Sequence, residues 1–211
     1  WCIISSTLLL ETKVSAQDER KGPQATFENV AYGDHPKQIL DFWQAEGKGI
    51  APLVIFIHGG GFTGGSHDKV PYPKLQRYLD ANIHFASLEY RNLKQAYFPA
   101  PHEDVASALQ FIRSRADQWK LDKSRIAATG GSAGAQLAAY LAWGDDLANP
   151  RSDNPRERES TKLIAVAING GQSNLDTGWW VDNIPGFRRE FHNHYYPKGV
   201  SQIEIMAIVN E

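Results

Sequence analysis

Residues 125–143 read RIAATGGSAGAQLAAYLAW, and this stretch predicts a strand that turns sharply into a helix at Ser132. The first five residues have the pattern of a short buried strand, and the residues after the serine are strong helix formers. Ser132 lies in a Gly-x-Ser-x-Gly sequence, where small residues at Gly130, Ala133 and Gly134 relieve the crowding of a tight turn. Such a turn presents the hydroxyl at the positive end of a helix, which favours a nucleophile.

A second motif, which we call the glycine loop (residues 58–61), opens at His58 after an apolar run. That run predicts a strand buried on both faces. Gly60 and Gly61 have no side chain to block a substrate, so we expect their N–H groups and that of Ala133 to form an oxyanion hole. His58 is interpreted as structural support of the loop rather than as a catalytic base. Together the two motifs predict nucleophilic acyl transfer.

With both motifs in this order, the chain resembles the α/β-hydrolase superfamily, and within it the esterase and lipase group related to hormone-sensitive lipase, which carries a His-Gly-Gly-Gly loop. The likeness covers residues 24–171 and includes Glu89-Tyr90-Arg91 after a predicted strand. It also includes Pro99-Ala100-Pro101, followed by Asp104 opening a predicted helix. Many of these lipases have an acidic residue just before the serine, where this chain has Gly131. The chain therefore resembles secreted carbohydrate-acetyl esterases as much as it resembles these lipases.

Alternating strand and helix signals predict an α/β fold with a mostly parallel sheet and helices on both faces. An antiparallel pair is expected near the N-terminus, and residues 163–168 are expected to form a buried strand. The predicted strands are 25–32, 39–43, 53–57, 83–90, 125–129 and 163–168, and the predicted helices are 72–82, 103–120 and 133–143. The resemblance implies that residues 24–171 are the N-terminal part of an α/β-hydrolase catalytic domain whose C-terminal strands are missing from this chain.

A serine nucleophile needs a histidine base oriented by a carboxylate, and in this fold both follow the serine along the chain. Residues 172–211 have no clear strand to carry them and are interpreted as a cap or insertion over the acyl pocket. For some of their aromatic side chains, a place in the hydrophobic core is the alternative. Asp176 or Asp182 with His192 or His194 has the right order but too short a spacing. We therefore expect the acid and histidine beyond the last residue, and at most residual activity from the 211 residues.

Composition excludes several classes of function. A chain of 211 residues fits one domain, and a net charge of −2 offers no basic surface for nucleic acid. No apolar run is long enough to span a membrane. His192 and His194 have no third ligand nearby and are interpreted as surface or cap polar groups rather than a metal pair. The predicted serine chemistry implies no metal or organic cofactor. The oligomeric state is left open.

Residues 1–16 are interpreted as the remnant of a secretory signal peptide. They contain an apolar stretch followed by Val14-Ser15-Ala16, which matches a small-residue cleavage site. Two charged residues interrupt the pattern, so a cytoplasmic location stays open beside a secreted or periplasmic one. The single cysteine, Cys2, lies in this segment and provides no disulfide.

The leading prediction is a serine-dependent carboxylic-ester hydrolase that acts on short acyl chains through an acyl-enzyme, with acetyl esters of carbohydrate as one substrate class. The expected partner is a small-molecule or carbohydrate ester. Two alternatives stay open. A serine peptidase of the prolyl-oligopeptidase type would use the same machinery, whereas a non-catalytic binding protein on this scaffold would need neither the serine nor the glycine loop.

Overall fold

One six-stranded sheet organises residues 22–175 and 177–185, the part of the chain that the computed structural model describes. A short 3₁₀ helix, Pro155–Arg158, precedes the last of the six strands along the chain. The other elements, in chain order, are β1 (Phe27–Ala31), β2 (Ile39–Trp43), β3 (Ala51–Ile57), α1 (Tyr72–Asp80), β4 (His84–Leu88), α2 (Ala100–Ser114), α3 (Ala116–Trp119), β5 (Leu121–Gly131), α4 (Ala133–Trp143), β6 (Ala165–Asn169) and α5 (Thr177–Asn183).

The sheet has the strand order β1-β2-β4-β3-β5-β6. Strands β4, β3, β5 and β6 are parallel to one another, whereas β2 is antiparallel to both β1 and β4. The mostly parallel sheet and the antiparallel pair predicted near the N-terminus are confirmed. Because β3 and β5 are parallel neighbours in the middle of the sheet, the glycine loop and the serine turn both lie at the carboxyl ends of these strands.

The central strand β3 shows how the two faces of the sheet are covered. Leu53, Ile55 and Ile57 are fully buried in the main core, together with side chains of α2 and α4. Val54 and Phe56 point to the opposite face, where they pack in a second cluster with Leu75 and other side chains of α1. Helices on both faces, as the sequence predicts, are therefore confirmed for the described residues.

The predicted helix 103–120 differs from the structure at its start and in its middle. Helix α2 begins earlier, at Ala100, because Pro101 occupies the first turn, where its missing N–H leaves no helical bond unmade. The helix is also interrupted at Arg115, which separates α2 from α3. Just before the interruption, the Ser114 hydroxyl donates to the carbonyl three residues earlier, at 2.7 Å, and so competes with the helical pattern.

The prediction that residues 163–168 form a buried strand was wrong. Strand β6 forms, but it is the outermost strand of the described sheet and pairs only with β5. Its flanking residue Ile164 is 64% exposed and Ile168 is 40% exposed. An apolar run predicts a strand, but its burial depends on which elements lie beside it.

The charged segment at residues 150–160 is a surface loop that contacts with α2 hold in place. Arg156 reaches back to donate to the carbonyl of Tyr32 and, at 2.7 Å, to the carbonyl of Ser107. From the helix side, Arg113 donates to a carbonyl at the end of the loop, also at 2.7 Å. The loop is therefore a strap across α2 rather than a free charged surface.

The predicted cap segment is described only in part. Residues 177–183 form α5, and both Leu175 and Trp180 are buried in the main core, whereas Trp179 is 47% exposed. Residues 1–16 with Cys2 lie outside the described residues, as do Asp176, His192 and His194. Within the described ranges, no helix combines the length and the apolar character needed to cross a membrane.

Candidate active site

Ser132 lies at the carboxyl end of β5, in the turn between this strand and α4. Its backbone has φ 54° and ψ −122°, a conformation that residues other than glycine rarely adopt. The Ser132 N–H donates to the carbonyl of Asn169 at 2.9 Å, and its carbonyl accepts from the N–H of Gln136 at 3.1 Å. Held from both sides in this turn, the residue remains exposed.

Two of the three glycines around Ser132 are required by close backbone approach. A Cβ at Gly134 would lie 2.0 Å from the carbonyl oxygen of Ile57, and one at Gly130 would lie 2.5 Å from that of Gly134. At Gly131 the nearest atom would be the Asn169 carbonyl oxygen at 3.8 Å, an ordinary contact. The position at which many lipases carry an acidic residue therefore has room for a side chain.

The glycine loop passes directly beside the serine turn. A Cβ at Gly59 would lie 2.6 Å from the carbonyl oxygen of Gly131 and 3.5 Å from the Ser132 Cβ. Gly60 and Gly61 follow with φ of 126° and 58°, values in the region that favours glycine. The loop therefore approaches the serine through backbone alone.

Three backbone N–H groups are available in this region. Across residues 22–175 and 177–185, no protein acceptor takes the N–H of Gly60 or of Gly61. Ala133 is the first residue of α4, so its N–H has no acceptor within the helix. These are the three donors that the sequence predicts, on the two backbone segments that meet at Ser132.

His58 lies beneath the glycine loop, pointing into the protein. The residue is 3% exposed, its Nδ1 is 2.7 Å from the Gly59 carbonyl oxygen, and its Nε2 is 3.1 Å from Glu89 Oε1. The ring stacks on Tyr90 with 4.4 Å between centroids, and the Tyr90 hydroxyl donates to the His58 carbonyl at 2.9 Å. These contacts hold the loop from below and occupy both ring nitrogens of His58.

The sequence places Glu89 after a predicted strand but gives its carboxylate no role. In the structure this carboxylate is 1% exposed and lies just after β4. Besides His58, it faces His67 Nδ1 at 3.2 Å and Lys37 Nζ at 3.4 Å. Burial acts to raise the pKa of the Glu89 carboxyl, but the hydrogen bonds from His58 and His67 outweigh it and hold that pKa far below its usual range. The available signal was a glutamate directly after a fully buried strand.

Arg91 and Asp104 join the loop after β4 to α2. The Arg91 Nε donates to both oxygens of Asp104 at 3.0 Å, Nη2 donates at 2.6 Å, and the backbone N–H donates at 2.8 Å. Gln38 adds a bond to the same carboxylate at 2.7 Å. Asp104 is fully buried and lies in the second turn of α2, so the expectation that it opens the helix was wrong.

No histidine nitrogen or carboxylate of the described residues lies within hydrogen-bond distance of the Ser132 hydroxyl. The ring of His84 accepts from the N–H of Ala45, and the ring of His102 pairs with Gln136. Asp182 is exposed on α5. The same part of the chain contains no group of three histidine, cysteine or acidic side chains that could hold a metal ion.

A cleft of about 540 Å³ begins one helical turn after Ser132. It runs along the outer side of α4 to the end of β6 and combines aromatic with polar side chains. Its lining includes Gln136, Tyr140, Trp143, Asp145, Ile168 and Gln172.

Comparison with known proteins identifies relatives over most of the described residues. The model of the BD-FAE family matches residues 40–179. Esterase LipC of Mycobacterium tuberculosis is 34% identical over 143 residues, which cover 67% of this chain and 36% of that protein. Arylacetamide deacetylase of Bos taurus is 35% identical over 131 residues, 57% of this chain and 32% of that protein. The chain thus spans about a third of the length of these curated relatives.

Solved structures agree with the fold. An acetyl ester-xyloside bifunctional hydrolase from Caldicellulosiruptor lactoaceticus has a TM-score of 0.55 at 25% identity, covering 62% of this chain and 48% of that chain. A propionate-bound esterase of Thermogutta terrifontis has a TM-score of 0.62 at 22% identity, covering 82% of this chain and 61% of that chain, a likeness of fold alone. With the family model matching more than half of its length, the chain belongs to the BD-FAE family and has the α/β-hydrolase fold of esterases.

Proposed function

We propose that this chain carries the nucleophile and the oxyanion hole of a serine-dependent carboxylic-ester hydrolase. The observation that carries the proposal is the exposed Ser132 at φ 54°, beside the unpaired N–H groups of Gly60, Gly61 and Ala133. The names of the relatives, which include several esterases, support the same reaction class.

In the proposed reaction, the Ser132 Oγ attacks the carbonyl carbon of the ester while a base takes the hydroxyl proton. The carbonyl oxygen becomes an oxyanion, which the N–H groups of Gly60, Gly61 and Ala133 stabilise. Collapse of the tetrahedral intermediate expels the alcohol, which receives the proton, and leaves an acyl-serine. Water then attacks the acyl carbon, releasing the carboxylic acid and regenerating Ser132.

We infer that the base and its carboxylate lie outside the described residues, on strands that continue the sheet beyond β6. The open edge of β6 supports this inference, because its neighbourhood is apolar: Ile164 is 64% exposed, Ile168 is 40% exposed, and Trp143 of α4 is 71% exposed. Natural sheets rarely leave an apolar edge uncovered. A neighbouring strand would both cover these side chains and supply the strand ends from which a triad is built.

For the substrate, we propose an ester of a short acyl group, with acetylated carbohydrate as the class to test first. Two similar structures at 25% identity support this choice: the acetyl ester-xyloside hydrolase and a bifunctional GH43-CE protein of Bacteroides eggerthii, the second with a TM-score of 0.57. Acetylated xylan and p-nitrophenyl esters of acetate and octanoate distinguish short-acyl from long-acyl specificity. A p-nitroanilide tests the peptidase alternative, for which we expect no turnover.

We propose export from the cytoplasm on the basis of the sequence at residues 1–16. N-terminal sequencing of the protein purified from its native source tests this proposal. Cleavage after Ala16 would give a mature chain that begins at Gln17. An uncleaved or cytoplasmic protein would contradict it.

The nucleophile is tested by p-nitrophenyl acetate hydrolysis with the complete gene product. We expect Ser132→Ala to reduce kcat at least a thousandfold, because the attacking oxygen is lost while binding is retained. Ser124→Ala is the matched control, since Ser124 is exposed on the same strand at its opposite end. Equal loss in both variants, or full activity in Ser132→Ala, would refute the role of Ser132.

The location of the base is tested with the 211-residue chain itself. We expect at most residual hydrolysis, because the oxyanion donors are present and the acid and histidine are predicted to lie beyond residue 211 rather than at His192 or His194. Near-normal hydrolysis by this chain, abolished by Ser132→Ala, would place the base within it and overturn the inference that the triad is completed beyond it.

A further inference from the structure

The cleft along α4 begins beside the serine turn and contains two glutamine side chains. Gln136 lies one helical turn after Ser132, and its backbone N–H donates to the Ser132 carbonyl at 3.1 Å. Gln172 lines the cleft from the segment after β6, where a Cβ at Gly171 would lie 3.3 Å from the Gln136 backbone nitrogen. The cleft volume of about 540 Å³ is within the roughly 300–1,000 Å³ of small-molecule sites.

A buried histidine holds the Gln136 amide in one orientation. His102 of α2 is 1% exposed, and its Nε2 lies 2.9 Å from Gln136 Oε1. Burial lowers the pKa of His102 to about 4, so the ring carries one proton at neutral pH. An amide oxygen can only accept, and Nδ1 has no hydrogen-bond partner among the described residues, so the proton is on Nε2. The Gln136 oxygen is thereby occupied, whereas its NH₂ group has no acceptor in residues 22–175 and 177–185.

Aromatic side chains fix the His102 ring in turn. The ring meets Tyr140 edge-on at 4.9 Å between centroids, and the centroids of Phe98 and Phe62 lie at 5.6 Å and 6.3 Å. Phe62 directly follows the glycine loop, and Tyr140 lines the cleft. The orientation of Gln136 is therefore set by packing before any ligand binds.

Gln172 supplies the complementary group. Its Oε1 is buried and has no hydrogen-bond partner among the described residues, which is an unfavourable state for an amide oxygen. A hydroxyl group both donates and accepts, so one ligand hydroxyl can donate to Gln172 and accept from Gln136. The methyl group of an acetyl ester can do neither. The two amides therefore match the alcohol part of an ester rather than its acyl part.

We propose that Gln136 and Gln172 bind a hydroxyl group on the alcohol part of the ester, and that His102 is a positioning residue for Gln136. The substrate class is the monoester of a polyhydroxy alcohol, with an O-acetyl sugar as the ligand that fits best, since the Tyr140 ring offers an apolar surface in the same cleft. A strand beyond β6 would form the outer wall of the cleft beside Ile168. The inference rests on the proposed function of Ser132.

Two acetate esters of equal size test the amide pair. 2-Hydroxyethyl acetate and propyl acetate differ only in a hydroxyl that replaces a methyl group. For the complete gene product we expect kcat/KM to favour the hydroxyl ester at least about tenfold, and Gln136→Met and Gln172→Met each to reduce this preference about tenfold. Gln76→Met, on an exposed residue of α1, is the matched control and should keep the preference.

This ratio does not depend on the fraction of protein that is folded, so a destabilised variant still reports on the site. No preference for the hydroxyl ester in the unmodified protein would overturn the proposal. An unchanged ratio in Gln136→Met or in Gln172→Met would also overturn it, and so would an equal loss of activity toward both esters.

His102→Phe tests the positioning role. The variant keeps an aromatic ring between Phe62 and Tyr140 but has no proton to donate to Gln136. We expect the preference for the hydroxyl ester to fall several-fold, and His102→Gln to restore much of it, because a glutamine N–H can donate from the place of the ring Nε2. Equal ratios in the two variants would show that His102 acts through packing alone.

Binding separates this inference from the proposed function. With Ser132→Ala in the complete gene product, we expect a methyl xyloside monoacetate to bind about tenfold more weakly when Gln136→Met is added. Glyceryl monoacetate binding as tightly as the xyloside would overturn the sugar as the preferred class. Binding that depends on Gln136, without hydrolysis of any ester by the unmodified protein, would refute the proposed function and leave the amide pair standing. Hydrolysis of both test esters without a preference would do the reverse.

Discussion

Gly134 lies so close to Ile57 that a Cβ on the glycine would be 2.0 Å from the isoleucine carbonyl oxygen. The first turn of α4 therefore packs against the end of β3 backbone to backbone. This contact brings the helix N-terminus, with Ser132 and the N–H of Ala133, next to the start of the glycine loop.

We expect Gly134→Ala to reduce the free energy of unfolding by at least about 3 kcal/mol, because two backbone segments must separate to admit a methyl group. Gly131→Ala is the matched comparison, since its nearest contact would be at 3.8 Å. The free energy of unfolding of that variant should exceed that of the unmodified chain by less than about 1 kcal/mol. Urea denaturation measures both. Similar losses in the two variants would show that the contact at Gly134 is not the cause.

Arg91→Met should cost about 3 kcal/mol of stability, because it leaves the buried Asp104 carboxylate without its counter-ion. Replacing both partners, in Arg91→Met with Asp104→Leu, should recover part of this loss, since no charge is then left buried. Lys123→Met provides the control for an exposed ion pair, the one with Glu159, and should cost less than about 1 kcal/mol. A double variant less stable than the sum of its single variants would contradict this account.

The stability of the chain should fall as pH decreases from 6.5 to 4, partly through His102. Burial lowers the pKa of His102 to about 4, whereas the unfolded side chain binds a proton near its ordinary value. In that window the unfolded state binds more protons, so the free energy of unfolding decreases by roughly 3 kcal/mol through this residue. Unfolding measured from pH 4 to 7 should show a shallower slope in His102→Gln, with the remainder due to His84 and other groups. An unchanged slope would exclude His102 as a source.

His67 makes the opposite contribution to the pH dependence of stability: through it, the free energy of unfolding decreases as pH rises. Its pKa is raised by the hydrogen bond to Glu89, so its contribution is fully present below its unfolded pKa and is lost as pH rises through the folded value. Between pH 6.5 and 9 we therefore expect the unmodified chain to lose more stability than His67→Gln. Urea midpoints across that range measure the difference, and parallel curves would contradict it.

Arg156→Met should release the loop at residues 150–160 from α2. The variant keeps an apolar stem near Phe111 but loses the bonds to the carbonyls of Tyr32 and Ser107. We expect thermolysin to cleave this loop several-fold faster than in the unmodified chain, because local opening exposes it. Arg151→Met, on an exposed residue of the same loop, should leave the cleavage rate unchanged. Equal rates in all three chains would show that the strap is not held by Arg156.

Local sequence predicted those features that local geometry determines. Helix α4 has the predicted bounds, because strong helix formers follow the serine and Gly144 ends the run. The turn at Ser132 was also predictable, since few sequences other than Gly-x-Ser-x-Gly allow a strand to enter a helix so abruptly.

Features that depend on distant residues were not predictable from pattern alone. The exposure of β6 follows from its outermost position in the described sheet, and the apolar sequence of a strand does not indicate its position in a sheet. The environment of Glu89 combines Lys37, His58 and His67 from three separate segments, and no spacing along the chain links them. The start of α2 was misplaced for a different reason: the helix begins before the predicted start, since Pro101 is well accommodated in its first turn.

The backbone of Ser132 has one further consequence, for the evolution of the chain. A residue with a side chain at φ 54° and ψ −122° stores on the order of 1–3 kcal/mol of strain, which a glycine at the same position would not. Selection for folding alone would therefore replace the serine. A lineage that has lost its substrate should drift toward glycine at this position and gain stability, which ties the strain at Ser132 to its proposed role as nucleophile.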